Sequence, residues 1–171
     1  TYMNDQEVID NSHKSQKPRY AKYAIDYNIQ TPESDDDEYI TVGYYTNKFP
    51  VDPTVGWLVE IDGPCSGSSY ELKSGVNFIG RDEKYNDIPL SADKSISRIH
   101  HVALIYDAKT QGFYTKPGAS KQLYYVNDNV IVDSYLIKHS DVLTIGNTKL
   151  LFVPLCGENF VWDSYVKTED K

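Results

Sequence analysis

The chain has 171 residues, which suits one ordinary domain with material left over and is a tight fit for two. Its 17 basic and 25 acidic residues give a formal charge of −8, which repels phosphate polymers and anionic lipid surfaces; nucleic acid and membranes are excluded as general partners, and any bound anion has to be held by a local patch. Cys65 and Cys156, far apart in sequence, make neither a disulfide framework nor a C-x-x-C pair, and no apolar run reaches the length of about 18 residues that crosses a bilayer, so the reading is a cytoplasmic chain with free thiols.

Residues 1–48 are polar, broken by Pro18 and Pro32, and carry the acidic run Asp35, Asp36, Asp37 and Glu38. So little apolar surface does not offset the entropy of ordering the backbone, and the segment reads as a flexible acidic tail. Its tyrosines, Tyr20, Tyr23, Tyr27, Tyr39, Tyr44 and Tyr45, are able to dock on a partner or on the domain itself.

From Gly56 the pattern changes to short β-rich runs separated by turn residues: "GWLVEI", "SYEL", "VNFIG", "DIPL", "HVALIYD", "GFYTK", "LYYV", "VIV", "VLTI" and "TKLLFVP". Sustained 3.6-residue periodicity is absent, and strands at this spacing predict an all-β domain, a two-sheet antiparallel β-sandwich over residues 49–155. "VGWLVEI" and "TKLLFVPL" are largely apolar, as expected of central strands lying side by side. Residues 156–171 form a C-terminal extension with Phe160 and Trp162 as its available anchors.

Three loops carry anion-binding candidates: Arg81 after the third strand, "SADKSISR" before the fifth, and "KPGASKQ" between the sixth and seventh. If they lie at one end of the sandwich, Arg81, Lys84, Lys94, Arg98, Lys116 and Lys121 make a local positive site in a negative molecule. A phosphate monoester, doubly charged and rich in acceptor oxygens, calls for an arginine fork with short hydroxyl donors, and Arg81, Ser97 and Arg98 are such a set. No nucleophile, base and orienting acid occur together, so an enzyme is not indicated. His100 and His101 are adjacent, point to opposite faces of a strand and lack a third ligand, so neither metal nor another cofactor is expected.

The order "IGR", "NDIPL", "SISRIH", "VN" and "DVLTIG" resembles the forkhead-associated (FHA) domain, over roughly residues 57–155. The resemblance implies an FHA/SMAD-like sandwich of about ten or eleven strands that reads phosphothreonine peptides across loops at one end. It makes Arg81 and Ser97 phosphate ligands, Arg98 a flanking contact, and Gly80, His100 and Asn127 supports, with Gly80 allowing a sharp turn and His100 bracing the Ser97 loop. The chain departs from the family before Asn127, where "KQLY" replaces a "TNGT"-like loop; the phosphate-contacting hydroxyl falls at Lys121 and the peptide-gripping Asn at Gln122. Gln122 retains an acceptor and an NH₂ for a peptide backbone, and Lys121 substitutes charge for a hydroxyl contact.

The expected function is therefore a phosphothreonine-peptide binding module, a signalling adaptor downstream of a Ser/Thr kinase. Thr41 follows the acidic run and Thr31 precedes it, next to Pro32, so the resemblance extends to a switch in which the domain binds its own phosphorylated tail. The competing expectation is a phosphate-independent interaction or scaffold domain of the same fold. A third is a sugar platform made by Tyr114, Tyr124, Tyr125 and Tyr135.

Overall fold

The computed structural model describes residues 43–167. These residues form eleven strands: β1 (Thr54–Asp62), β2 (Ser69–Lys73), β3 (Gly75–Gly80), β4 (Ile88–Pro89), β5 (Val102–Asp107), β6 (Gly112–Pro117), β7 (Tyr124–Val126), β8 (Asn129–Val130), β9 (Tyr135–Leu136), β10 (Val142–Ile145) and β11 (Thr148–Pro154). One sheet runs β2-β1-β11-β10-β7-β8 and the other β4-β3-β5-β6-β9.

Period-2 burial explains how the sheets stack. Thr148, Leu150 and Phe152 of β11 turn inward while Lys149, Leu151 and Val153 stay partly exposed, and Leu143 and Ile145 do the same on β10. They meet Ile79, Val102, Leu104, Tyr106 and Phe113 from the second sheet in a continuous apolar core. The two apolar runs expected side by side are neighbours, with Leu58 opposite Phe152 and Gly56 opposite Pro154.

Three details differ from the sequence reading. The sheets are antiparallel except where β4 pairs parallel with β3, Ile79 opposite Ile88, because the chain crosses over through the loop 81–87. The eighth strand sits at Asn129–Val130 rather than over "VIV", and β9 was not foreseen; both are two-residue edge strands, too short to show alternation. Residues 43–48, placed by composition in the tail, form turns whose Tyr45 is 3% exposed and belongs to the core.

Tyr45 is the centre of a clasp that joins both flanks of the domain. Its ring packs edge-on against Tyr44 (4.9 Å) and Phe49 (5.9 Å), Phe49 packs on Trp162 (5.4 Å), and Trp162 Nε1 donates to the Thr54 carbonyl (2.7 Å). The Tyr44 hydroxyl donates to Asp163 (2.8 Å), so the 3-10 helix Trp162–Tyr165 holds the chain on the N-terminal side of β1. The Cys156 amide donates to the Val55 carbonyl and its thiol is buried, whereas Cys65 is exposed on the β1–β2 turn. No helix among the described residues is long and apolar enough to cross a membrane.

Replacing Tyr45 by Ala removes a buried ring from this clasp and is expected to lower unfolding stability by about 3 kcal/mol, read as an earlier urea midpoint at unchanged slope. A shift below about 0.5 kcal/mol, the usual effect of a surface substitution, would show that the 43–48 turn is not part of the cooperative unit.

Candidate functional site

The loops after β3 and before β5 are joined by their backbones. Arg81 N–H donates to the Ser97 carbonyl (2.9 Å) and Asp82 N–H to the Arg98 carbonyl (3.0 Å), loop-to-loop bonds outside the β3–β5 ladder. Asn86, 1% exposed, locks this pair. Its Nδ2 donates to the Asp82 and Arg98 carbonyls (2.7 Å each) and its Oδ1 accepts the His100 N–H (2.9 Å). A Cβ on Gly80 would stand 2.4 Å from that Oδ1. Gly80 is therefore required for the close approach of Asn86 rather than for a left-handed turn, since its φ is not positive.

The two histidines serve different loops. His100, at φ 41°, stacks on Phe78 at 3.8 Å and pairs Nε2 with the Tyr85 carbonyl (2.9 Å), which fixes the loop carrying Arg81. The ring that holds Ser97 is that of His101, whose Nδ1 accepts the Ser97 N–H (3.1 Å). His100 ties the loop that contains Ser97 to the loop of Arg81, through Asn86 and Tyr85, while direct contact with the Ser97 backbone comes from the ring of His101. The positive φ of His100 turns the chain between them, which strand alternation alone does not reveal.

The third loop enters through a hydroxyl that residue counting missed. Ser120 Oγ lies against Ser97 Oγ in a very short hydrogen bond and accepts the Gln122 N–H (2.8 Å). A hydroxyl meeting Ser97 thus stands one residue before Lys121, where counting placed the family's hydroxyl. Ser120 is the one hydroxyl-bearing residue between Lys116 and Leu123, a signal available in the sequence. Gly118 sets the loop's path: an added Cβ would lie 1.7 Å from the His100 carbonyl oxygen. The side chains of Lys121 and Gln122 are exposed beside Ser120, and Arg98 is exposed beside Ser97.

Arg81 is half-buried, and its Nε is a buried donor without an acceptor among the described residues. Such an atom costs about 1–3 kcal/mol unless a ligand supplies the missing acceptor. Lys84 leans instead on Tyr85, its Nζ 3.0 Å from the phenol oxygen, and Lys94 and Lys116 are exposed. Asn127 stands apart from the three loops. At φ 48° it opens the two-residue turn between β7 and β8, and its side chain donates to Asp141 (2.8 Å) and accepts from Val142 N–H (2.9 Å), so it braces the sheet. Thr31 and Thr41 lie outside the described residues.

Asp93 anchors the Ser97 loop to the opposite sheet. Its carboxylate accepts from Ser95 N–H (2.9 Å) and Oγ (2.5 Å), Asn147 N–H (2.8 Å) and the Thr148 hydroxyl (2.8 Å). Burial pushes its pKa up, but these hydrogen bonds outweigh burial and hold it below the usual carboxylate range. A depressed carboxyl contributes stability that is complete above its unfolded pKa, about 3.9, and is lost as pH falls through the folded value. Accordingly, acid unfolding curves of Asp93→Asn should be flatter than wild type below about pH 4, from a lower starting stability. Asn86→Ala removes the acceptor of the His100 N–H and one of the two donors on each of the Asp82 and Arg98 carbonyls, which keep the Tyr85 and Asp82 N–H groups, and should cost about 1–3 kcal/mol in denaturant unfolding; a loss under about 0.5 kcal/mol would mean that Asn86 does not hold the loops together.

Residues 77–146 match the family model of the FHA domain. No curated protein sequence matches the chain. Among solved structures, the FHA domain of the CT664 protein from Chlamydia trachomatis is 27% identical, with 58% of this chain and 97% of that one covered and a TM-score of 0.52. EmbR of Mycobacterium tuberculosis, solved with a low-affinity phosphopeptide, is 25% identical with a TM-score of 0.51; 61% of this chain is covered but a quarter (25%) of EmbR, so the match is to one part of that protein. The FHA domain of an Arabidopsis thaliana hypothetical protein, 21% identical over 69% of this chain and 94% of its own at a TM-score of 0.54, shares the fold. The five motifs, the eleven-stranded sandwich and these matches lead to one conclusion: this chain carries a forkhead-associated domain, matched at residues 77–146 and completed by strands on either side.

Proposed function

We propose that the chain binds phosphothreonine peptides at the meeting point of its three loops, with Arg81, Ser97 and Ser120 as phosphate ligands and Arg98, Lys121 and Gln122 along the peptide. The observation that carries this reading is the buried Arg81 Nε, unpartnered among the described residues, on the loop whose backbone is bonded to Ser97 while Ser97 Oγ meets Ser120 Oγ. One charged fork and two converging hydroxyls suit a doubly charged oxyanion. The phosphopeptide held by EmbR supports the reading by analogy.

The finer role we infer is that of an adaptor that recognises the products of a Ser/Thr kinase. Its own tail is a candidate ligand, and Tyr45 limits which threonine is used. Tyr45 is clasped near the start of β1 and the end of β11, whereas Thr148, at the other end of β11, bonds to the Asp93 loop of the site. Seven β11 residues separate these ends, about 20–23 Å. The four residues from Tyr45 back to Thr41 span at most about 14 Å, and the 14 residues back to Thr31 about 50 Å. Phosphorylated Thr41 is therefore suited to the site of a second copy, and phosphorylated Thr31 reaches either site. A phosphate-independent interaction domain is the competing reading, favoured by the Lys121–Gln122 departure; it predicts binding that survives phosphatase treatment.

Titration with phosphothreonine peptides from a degenerate library tests the proposal. Arg81→Ala should weaken binding by about 30- to 100-fold, or 2–3 kcal/mol, and Ser120→Ala by about 5-fold. Wild-type affinity should fall with added salt, because the exposed cations around the site are screened. Equal affinity of wild type and Arg81→Ala, or equal affinity for the unphosphorylated peptides, would overturn it.

A further inference from the structure

His101 makes four hydrogen bonds that together tie every element of the site. Its N–H donates to the Ile79 carbonyl of β3 (2.8 Å), and its carbonyl accepts the Gly118 N–H (3.1 Å) at the start of the 118–123 loop. Its ring accepts from Ser97 N–H at Nδ1 (3.1 Å) and meets the Leu123 carbonyl at Nε2 (2.9 Å), at the far end of the same loop. The ring is 1% exposed. Ser97 is consequently fixed from two sides, its carbonyl by Arg81 and its amide by His101.

These partners dictate one tautomer. An amide N–H can only donate, so Nδ1 must carry a lone pair; a carbonyl can only accept, so Nε2 must carry the proton. A second proton on Nδ1 would set donor against donor at Ser97. The charged group acting on the ring is Asp93, in the loop before β5, which favours the cation. From the 118–123 loop the ring meets the Leu123 carbonyl, and β3 meets its backbone N–H through the Ile79 carbonyl; neither titrates. The neighbouring titratable ring, His100, is engaged elsewhere with Tyr85 and Phe78. Burial opposes the cation more strongly than Asp93 and the Leu123 bond favour it, and His101 is held below the usual imidazole range.

We propose that His101 is a positioning residue of the phosphate site: its neutral ring sets the separation of the Ser97 and Ser120 hydroxyls, and a second proton releases the Ser97 amide and lowers affinity for phosphothreonine. This rests on the phosphopeptide reading above and adds to it an acid-sensitive element inside the protein. The sign is fixed by the geometry. The neutral ring is the binding form, so affinity is full down through the ordinary imidazole range and falls only as pH drops below it, through the lowered value. The phosphate's own second ionisation, near pH 6, weakens binding over a similar range, so the two effects have to be separated.

Asparagine separates them, because its Oδ1 can stand where Nδ1 stands and accept the Ser97 N–H, yet it does not titrate. The experiment compares wild type, His101→Ala and His101→Asn by fluorescence anisotropy with a library-selected phosphothreonine peptide, from neutral pH into acid. Exchange of the Ser97 amide is followed in parallel by NMR. At neutral pH His101→Ala should bind about 10-fold more weakly, a 1.4 kcal/mol loss, and His101→Asn within about 3-fold of wild type. On acidification wild type should lose more affinity than His101→Asn, and the Ser97 amide should be protected in both at neutral pH but exposed in His101→Ala. Parallel acid losses in wild type and His101→Asn, or an unaltered Ser97 amide in His101→Ala, would overturn the proposal. Should His101→Ala not fold, the pH titration of the Ser97 amide in wild type against His101→Asn gives the same decision. If wild type binds no phosphothreonine peptide, the functional reading fails separately, and Ser97 exchange alone decides whether His101 is the pin.

Discussion

The site depends on the bonding of two loop backbones to one another beyond the ends of their strands. Arg81 and Asp82 donate to the carbonyls of Ser97 and Arg98, and Asn86 crosses beneath to bond Asp82, Arg98 and His100 together. Side chains as long as arginine lose considerable rotamer freedom when fixed, and a loop that also moved would add to that cost. Here the backbone carrying the guanidinium and the backbone carrying the hydroxyl are a single hydrogen-bonded unit. Glycine at position 80 follows from this arrangement, because Asn86 occupies the space of its Cβ.

On the proposed reading, preorganisation also explains how an acidic chain would hold an anion. With a net charge of −8 the overall field opposes phosphate, so attraction has to come from short-range donors held in place before the ligand arrives. The β-sandwich supplies rigid strand ends: Asp93 ties the Ser97 loop to β11, His101 ties it to the 118–123 loop, and His100 ties the Arg81 loop to β3. Each brace is buried and polar, and each is paired, which is the condition for such groups to add rigidity rather than strain. The clasp around Tyr45 and Trp162 is bonded to Thr54 at the start of β1, while Thr148 at the start of β11 is bonded to the Asp93 loop.

Much of this was legible in the sequence, because alternation and turn residues report local preference. The apolar runs at β1 and β11 pointed to their own pairing, and "IGR" with "SISRIH" pointed to two loops that the structure joins through the Arg81 N–H and the Ser97 carbonyl. What stayed hidden is non-local. Asn86 reads as an ordinary turn residue until its three partners, up to 14 positions away, are known. His101 reads as a strand residue because the positive φ of His100 is invisible in the sequence. The contact of Ser120 with Ser97 also stayed hidden, since counting back from Asn127 assumes a loop of standard length, whereas Gly118 fits against the His100 carbonyl and sets the loop's path. Tyr45 was assigned to the tail because composition averages over neighbours, and a single ring in a polar segment is enough to anchor it.

The central claim is that one guanidinium and two hydroxyls converge on a phosphate. It is tested most directly by a structure of this chain with a bound phosphothreonine peptide. The account predicts phosphate oxygens within hydrogen-bond distance, about 3 Å, of Arg81 Nε, Ser97 Oγ and Ser120 Oγ, with the three loops otherwise unmoved. A phosphate seated elsewhere, or an Arg81 Nε still without an acceptor in the complex, would contradict it.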